Sequence, residues 1–441
     1  MSNTIKFIDL FAGIGGMRIG LEQACKSLNI NSECVFTSEI KPTAIKTYQQ
    51  NFIQTSIAGD ITKIHNQKIP DFDILLAGFP CQPFSTAGTK QGFLDTRGTL
   101  FFEIERILKD KSPFGFLLEN VEGLVKHDQG RTLKTILNQL EKLGYKINWQ
   151  ILNARDFSIP QDRKRIYIVG TKTNPISLNF EQNNQTKLLD ILEQGHLTLQ
   201  TKFIKNLLAS YSIEQLYGKS IQDKRGGADN IHSWDLELKG EVSLEQKELL
   251  NLLLKQRRRK NWSAKKGIHW MDGIPLTLDE IQTFYKHQKL NLLLDDLVIK
   301  GYLRYEHPKD LQNVINKYGK IVKKREYRTD LPKGYNIVVG KLSFEINKIL
   351  HPHDIAPTLV ATDMQKLAVV DGNGLRNLTI RESLRLFGFP EDYQINLPIN
   401  KAFDLLGNTV VVPIIKEITH RIVIMQLSLK QECYYNYKAI Y

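Results

Sequence analysis

The chain has 441 residues, 41% of them hydrophobic, and its 60 Lys and Arg outnumber its 47 Asp and Glu to give a formal net charge of +13. Such a chain can bury a full core in two domains, and its charge suits a polyanionic partner without requiring one. Its four cysteines form no CxxC pair and it has no long uncharged apolar stretch, so we expect a cytoplasmic protein without disulfides, metal or membrane partner.

Short apolar runs alternate with amphipathic stretches from residue 5 to about residue 170. The apolar runs are IKFIDL, CVFTSEI, DILLAGF, GFLLENV and RIYIVG, and helical patterns such as LFFEIERILKD lie between them. This order is typical of an α/β sheet. We therefore predict an α/β domain over residues 1–170.

A second, smaller domain is predicted after Thr171, where the composition shifts to Asn, Gln, Lys and Leu with long helical patterns. Motif-like segments return near Ile349, in IAPTLVATD, LTIRESLRLFGFPEDY and LLGNTVVVPIIKEI. We place the second domain at residues 171–395, a return to the first domain at 396–425, and a polar and aromatic C-terminal tail at 426–441.

The segment FIDLFAGIGGMRIGLEQA places three glycines, Gly13, Gly15 and Gly16, between a predicted strand and a predicted helix. Glycines at such a turn allow a sharp bend and a close approach of the backbone to a ligand. Dehydrogenases, flavoproteins and methyltransferases share this feature, and it is sometimes only a tight connection. The turn therefore suggests a nucleoside site without identifying it.

Two carboxylates follow the next predicted strands. Glu39 ends CVFTSEI and is placed to accept hydrogen bonds from the ribose hydroxyls of an adenosine. Asp60, in AGDI, is placed to reach the exocyclic amine of an adenine, with Ile61 packing on the ring. The alternatives are a surface carboxylate and an ordinary turn residue.

Cys81 lies in LLAGFPCQPFS, directly after a predicted strand and between Pro80 and Pro83. The two prolines make a rigid turn that fixes the direction of the sulfur. A free cysteine is usually an inert core residue, but these neighbours favour a nucleophile.

Further polar residues stand at predicted strand ends. Glu119 and Asn120 end the strand in LLENVEG, at the carboxyl edge where open α/β sheets bind ligands. Arg163 and Arg165, in IPQDRKRIYIVG, occupy alternate positions just before a strand, so both are expected to face one cleft. A solvated basic edge is the alternative for the two arginines.

These side chains form a chemical set that suits a pyrimidine. Carbon 5 of cytosine is a weak nucleophile, but addition of the Cys81 thiolate to carbon 6 converts the ring into an enamine that accepts a methyl group. Glu119 would bond ring nitrogen 3 and the exocyclic amine. Arg165 would anchor the 2-carbonyl oxygen, and the guanidinium groups of Arg163 and Arg165 together suit carbonyl or phosphate oxygens.

In order and content, the motifs FAGIGG, GFPCQPFS, ENVEG, QDRKR and GNTVVVP resemble the C5-cytosine DNA methyltransferase family, over residues 5–170 and roughly 350–425. The resemblance implies a Rossmann-like mixed sheet with helices on both faces that binds S-adenosylmethionine, plus a smaller target-recognition domain. It also implies flipping of the target cytosine out of double-stranded DNA, because Cys81 cannot reach a stacked base.

The resemblance also implies the residues of each site. Cys81, Glu119, Arg163 and Arg165 are expected to be catalytic, and the loop from Ser85 to Leu100 is expected to close over DNA, with Ser85 and Arg97 in contact with it. The expected cofactor residues are Phe11, Ala12, Gly13, Gly15, Gly16, Glu39, Ile40, Asp60, Ile61, Gly78, Pro80, Leu100, Asn408 and Val410.

The region 171–345 lacks family motifs, as expected of a segment that recognises sequence in the major groove. LLKQRRRKNWSAKK carries seven Lys and Arg and no acid, which suits phosphate contacts, although a solvated helix end would show the same pattern. The residues expected to contact DNA here are Arg257, Arg258, Arg259 and Lys260.

The leading hypothesis is a monomeric prokaryotic type II modification enzyme that acts on a short cytosine-containing site. A cognate restriction endonuclease would act on the same site without contacting this chain. The alternatives are a tRNA cytosine-5 methyltransferase, a non-catalytic DNA-binding module and a dehydrogenase. The last leaves Cys81 and ENVEG unexplained, and a non-catalytic module predicts loss of Cys81 or Glu119, both of which are present.

Overall fold

The structure, a computed structural model, describes residues 4–53, 55–80, 99–183, 185–315, 321–339 and 344–440. Cys81, Ser85 and Arg97 lie outside the described residues. The chain divides into two compact units. The first comprises Met1–Glu193, Pro352–Gln365 and Leu378–Tyr441, and the second comprises Gln194–His351 and Lys366–Asn377.

These boundaries differ from the predicted ones. Residues 171–193, 352–365 and 378–395 belong to the first unit instead of the second. The backbone explains the first of these changes, since the amides of Leu188 and Leu189 donate hydrogen bonds to carbonyls within 352–365. One helix, which runs from Val412 to Ile440, includes most of the predicted tail at 426–441.

A six-stranded mixed sheet forms the centre of the first unit, in the order β2-β1-β3-β4-β6-β5. Strands β1 to β4 are parallel, whereas β6 runs antiparallel to both β4 and β5. The predicted α/β fold is therefore confirmed. The strands are β1 Thr4–Leu10, β2 Asn31–Ser38, β3 Ile74–Gly78, β4 Gly115–Val121, β5 Lys146–Asn153 and β6 Lys164–Thr171.

The four helices of this part alternate with its strands. Their apolar side chains join those of the sheet in one core, which includes Leu75, Phe116 and Ile168 from strands and Ile104 and Ile136 from helices. The helices are α1 Gly16–Ser27, α2 Pro42–Asn51, α3 Thr99–Lys111 and α4 Arg131–Lys142.

The second unit combines short helices with three small sheets. A five-stranded sheet has the order β15-β14-β13-β7-β8, while β9 pairs with β12 and β10 pairs with β11. The helices are α5 Lys202–Ser210, α6 Ile213–Leu216, α7 Leu244–Gln256, α8 Lys260–Lys266, α9 Leu278–Gln282 and α10 Leu290–Ile299. The strands are β7 Ser220–Ile221, β8 Asn230–Ile231, β9 Leu303–Glu306, β10 Lys309–Ile315, β11 Ile321–Tyr327, β12 Gly334–Ile337, β13 Lys348–Ile349, β14 Leu367–Asp371 and β15 Gly374–Asn377.

The chain returns to the first unit through three helices, α11 Ile380–Arg385, α12 Ile399–Gly407 and α13 Val412–Ile440. Helix α13 packs closely on α1, because a Cβ on Gly20 would lie 2.6 Å from Cβ of Ile415. In the described parts of the chain, no helix is both long and apolar enough to cross a membrane.

Gly407 tests how closely α12 packs on residues 352–365 of the same unit. A Cβ at Gly407 would lie 2.6 Å from Cα of Ala361, and backbone cannot move aside as a flexible side chain can. We expect Gly407→Ala to lower the free energy of unfolding by roughly 1–3 kcal/mol in urea unfolding. Gly123→Ala is the matched control, because its nearest atom would be Val121 Cγ2 at 4.0 Å. Equal stability of the two variants would contradict the described packing.

Candidate active site

The direction of the strands gathers the predicted motifs at one edge of the large sheet. Because β1 to β4 are parallel, the segments that follow them meet at their carboxyl ends. Strand β6 is antiparallel and begins at this edge, where Arg165 pairs with Val121 of β4. Gly78, at the end of β3, pairs with Glu119 of β4. The edge therefore contains two of the four predicted catalytic residues.

The glycine turn after β1 depends on left-handed backbone. Gly13 and Gly15 have φ values of +55° and +81°, which glycine adopts at little cost. A Cβ on Gly15 would lie 2.8 Å from Cζ of Phe52, whereas a Cβ on Gly13 would meet nothing within 4 Å. Phe11 shares the left-handed conformation, with φ +55°, which is uncommon for a large side chain. The turn leaves its backbone open at Gly13, where a ligand can approach.

Glu39 holds this turn through a role that sequence reasoning missed. Its Oε2 accepts a hydrogen bond from the Gly13 amide at 2.8 Å, and its Oε1 accepts from the amides of Ile40 and Lys41, both at 2.8 Å. A carboxylate offers about four acceptor positions, so Glu39 retains capacity for a ligand hydroxyl. The side chain of the neighbouring Ile40 is 69% exposed, which leaves an apolar surface beside that carboxylate.

Asp60 and Ile61 differ in exposure. Oδ1 of Asp60 accepts hydrogen bonds from the hydroxyl and the amide of Thr62, and the hydroxyl bond is the main cause that lowers the pKa of Asp60. Asp60 thus caps the short turn Ile61–Lys63 while remaining partly exposed. The prediction that Ile61 packs on a ligand ring is not supported by its placement, because its side chain is buried in the core of the sheet.

Asn120 fixes the end of the segment that leads toward Cys81. Its Nδ2 donates to the carbonyl of Phe79 at 3.0 Å, and its Oδ1 accepts from the amide of Val121. The Asn120 side chain is buried, whereas Pro80 is exposed at the sheet edge. Asn120 is therefore a positioning residue, and the signal in the sequence was a polar residue at the end of an apolar strand.

Glu119 and Arg165 form a nearly buried ion pair. Nε of Arg165 lies 3.2 Å from Oε1 of Glu119, and the two side chains are 13% and 11% exposed. Burial raises the pKa of Glu119, and the charges of Arg165 and Arg163 oppose that shift. A carboxyl group that retains its proton above the ordinary range can both donate and accept a hydrogen bond. This suits recognition of a ring that carries an acceptor next to an amine.

Arg163 is enclosed beside this edge, whereas the sequence predicted that both arginines would face an open cleft. It is 2% exposed, and its guanidinium donates to the carbonyls of Leu359 at 2.8 Å, Gly407 at 3.3 Å and Thr409 at 2.8 Å. Burial lowers the pKa of Arg163 to about 10. The side chain joins the returning part of the chain to the first unit instead of presenting its charge to a substrate.

The last motif returns to the glycine turn. A Cβ on Gly16 would lie 2.8 Å from Cγ2 of Val410, and a Cβ on Gly78 would lie 3.9 Å from Cγ1 of Val410 and 3.7 Å from Oε2 of Glu119. Val410 therefore lies next to the start of α1 and the end of β3. Asn408 is exposed, and its Nδ2 donates to the carbonyl of Asp404. The remaining predicted cofactor residues Ala12 and Leu100 are buried and partly buried, respectively.

The basic segment of the second unit is less exposed than its charge suggested. Arg257 was predicted to contact DNA but is 1% exposed, because it lies inside the unit with Nη1 bonded to Oδ1 of Asn336. Arg258 pairs with Asp272. Arg259 and Lys260 remain exposed at the start of α8. Within the described ranges, no group of three His, Cys, Asp or Glu is arranged to hold a metal ion.

Comparison with known proteins gives consistent matches. The family model described as C-5 cytosine-specific DNA methylase matches residues 5–423. Type II methyltransferase M.NlaIV of Neisseria lactamica is 57% identical over 95% of this chain and 98% of its own, and M.BanI of Aneurinibacillus aneurinilyticus is 42% identical over 94% of each. The solved methyltransferase EhMeth of Entamoeba histolytica has a TM-score of 0.51 at 16% identity, covering 95% of this chain and 98% of its own. At this identity, the structural likeness shows the fold alone.

The two arginines are predicted to respond differently to the same change. Arg163→Lys leaves a single ammonium for three backbone carbonyls, so we expect a loss of roughly 2–4 kcal/mol in the free energy of unfolding. Arg165→Lys is the matched control, and it should lower the free energy of unfolding by less, because the ammonium keeps a positive charge beside Glu119 and the pair is altered but not broken. Urea unfolding measures both. A destabilised Arg165→Lys beside an unaffected Arg163→Lys would reverse these assignments.

Proposed function

Because the chain belongs to the C-5 cytosine-specific DNA methylase family, we propose that this type II DNA methyltransferase moves a methyl group from S-adenosylmethionine to carbon 5 of a cytosine flipped out of duplex DNA. The observation that carries the proposal is the buried pair of Glu119 and Arg165 at the carboxyl edge of the sheet. Phe79 and Pro80, which precede Cys81 in the sequence, end at the same edge.

The glycine turn and its neighbours fit S-adenosylmethionine. The open backbone at Gly13 admits a close ligand, the exposed Ile40 offers apolar contact to an adenine, and Glu39 retains an acceptor position for a ribose hydroxyl. When bound, the cofactor supplies an electrophilic methyl group. Val410, next to Gly16 and Gly78, would close the pocket from the returning part of the chain.

Cys81 is proposed to form the covalent adduct. Its thiolate would form a bond to carbon 6, and the electrons of the 5,6 double bond would move to carbon 5. Carbon 5 would then take the methyl group as the bond between that group and the cofactor sulfur breaks, which releases S-adenosylhomocysteine. Loss of the proton from carbon 5 to a base restores the double bond and expels the thiolate. Flipping the nucleotide costs a few kcal/mol and exposes carbons 5 and 6 to Cys81.

Glu119 is proposed to select cytosine and assist the addition. In its protonated form, the carboxyl group donates to ring nitrogen 3 and accepts from the exocyclic amine, and the raised pKa of Glu119 favours that form. Thymine presents a donor at nitrogen 3 and no amine, so both contacts would be lost. Arg165, 3.2 Å from Glu119, would anchor the 2-carbonyl oxygen.

We further propose that the enzyme works as a monomer in the cytoplasm and protects a short site from a cognate restriction endonuclease. Support comes from the similarity to type II methyltransferases over nearly the whole length of both chains. The endonuclease would recognise the same DNA site without contacting this chain. The alternative of a tRNA substrate uses the same chemistry and is distinguished by the substrate that becomes methylated.

The first prediction of this proposal concerns the substrate. Unmethylated plasmid DNA incubated with the protein and S-adenosylmethionine should acquire 5-methylcytosine within one short motif, as detected by base-resolution conversion sequencing. Cys81→Ser should abolish the modification while DNA binding is retained, because only the covalent step is lost. Total RNA labelled in parallel is the control. Labelled tRNA with unmodified DNA, or turnover by Cys81→Ser equal to the wild type, would contradict the proposal.

A second prediction concerns pH. The reaction needs protonated Glu119 and the thiolate of Cys81. A plot of kcat/KM against pH for the wild type should therefore be bell-shaped, with two apparent pKa values that belong to the pair of groups. Glu119→Gln still donates to nitrogen 3 but cannot lose a proton, so its rate should fall roughly 10²–10⁴-fold and should no longer decline at high pH. Glu122→Gln, an exposed neighbour, is the control. A bell-shaped profile in Glu119→Gln would assign the alkaline limb to another group.

A further inference from the structure

The second unit carries a two-stranded antiparallel ribbon formed by β10 and β11. Seven residue pairs extend in continuous register from Lys309 with Tyr327 to Ile315 with Ile321. At about 3.4 Å per residue, the paired part is roughly 20 Å long. In the part of the chain that the structure describes, neither strand pairs with a third strand.

The outer half of this ribbon is exposed on both faces. Ile315 and Ile321 form a cross-strand pair and are 74% and 72% exposed, and Val322 beside them is 37% exposed. An isolated two-stranded sheet is marginally stable in water, and exposed apolar pairs at its end add no stability of their own. Such a surface is typical of an element that is completed by a partner.

The polar side chains of the ribbon identify the chemistry of that partner. Gln312 and Asn313 are exposed on opposite faces, and they pair across the strands with Lys324 and Lys323. Lys324 is balanced by Glu326 at 2.7 Å, whereas Lys323 has no ion-pair partner among the described residues. Each face therefore presents an amide, which recognises adenine edges, and the face of Asn313 also carries Lys323, a cation that suits phosphate.

The base of the ribbon is fixed to the rest of the second unit. Oδ1 of Asp310 accepts hydrogen bonds from the amide and Nδ1 of His269, and Nη2 of Arg325 donates to the carbonyl of Trp270. The acidic residue nearest the base is thus occupied within the protein. This attachment holds the exposed half at a defined angle to its own unit, as a recognition element requires.

We infer that the β10–β11 ribbon enters the major groove of duplex DNA and that Gln312 and Asn313 contact base edges while Lys323 contacts the backbone. The groove is about 12 Å wide and admits a two-stranded ribbon, whose strands lie about 4.8 Å apart. The exposed isoleucines would contact thymine methyl groups or sugars. This inference rests on the proposed function and names the residues that would determine its target sequence.

The test compares ribbon variants with matched variants elsewhere in the second unit. The target motif is first determined with the wild-type enzyme on plasmid DNA, and duplexes with that motif and with single base-pair changes are then used as probes. The ribbon variants are Gln312→Ala, Asn313→Ala and Lys323→Gln. Asn291→Ala on α10 and Lys205→Gln on α5 are the controls, since both residues are exposed. Thermal unfolding and the KM for S-adenosylmethionine should be unchanged in all five.

We expect the two amide variants to lose roughly 5- to 150-fold in kcat/KM on the cognate duplex and to discriminate less at one base pair. Lys323→Gln should weaken the binding of all duplexes alike. The negative slope of the logarithm of the binding constant against the logarithm of the salt concentration should become shallower by about 0.9. Wild-type values, within twofold, in all three ribbon variants would overturn the inference while leaving the proposed function intact. An enzyme that methylates no DNA would overturn both.

Discussion

Arg163 carries its charge into the core of the first unit, where an unpaired guanidinium would cost several kcal/mol. Its acceptors are the carbonyls of Leu359, Gly407 and Thr409, which are distant in sequence but adjacent in the fold. Because these groups belong to the returning C-terminal part, one buried charge fixes that part beside the start of β6. Val410 then reaches the glycine turn and the end of β3. Two of its acceptors, Gly407 and Thr409, are close to Val410 in the sequence.

Two residues further along, the same strand supplies a different environment. Arg165 pairs with Glu119, and both side chains are nearly buried. Burial raises the pKa of Glu119 by more than the nearby positive charges lower it. A raised pKa favours the protonated carboxyl group, which can donate a hydrogen bond. Arg163 and Arg165 stand two residues apart and therefore share a face, but the returning chain encloses the first and leaves the second partly exposed beside Glu119.

Sequence alone predicted the sheet, its edge and the motifs at strand ends, because strand direction and glycine turns are local properties. It could not separate Arg163 from Arg165, since both stand before the same strand and only the returning chain decides which is enclosed. In the segment of three consecutive arginines, charge suggested phosphate contacts, yet Arg257 faces inward to Asn336. The unit boundaries depended on backbone pairing between residues near 188 and 353, which no local pattern shows.

The same limit explains why the proposed recognition element was not found from charge. The three consecutive arginines of the densest basic run lie in the turn between α7 and α8, where Arg257 is buried and Arg258 pairs with Asp272. In the β10–β11 ribbon, the period of two and the lack of a third strand among the described residues leave both faces open. To discriminate between bases, a protein needs amides held at fixed angles. Positive charge contributes less to discrimination, because contacts with phosphate are the same for all sequences. A thin ribbon with Gln312, Asn313 and Lys323, which has no ion-pair partner among the described residues, meets that need better than a run in which Arg257 is buried and Arg258 pairs with Asp272.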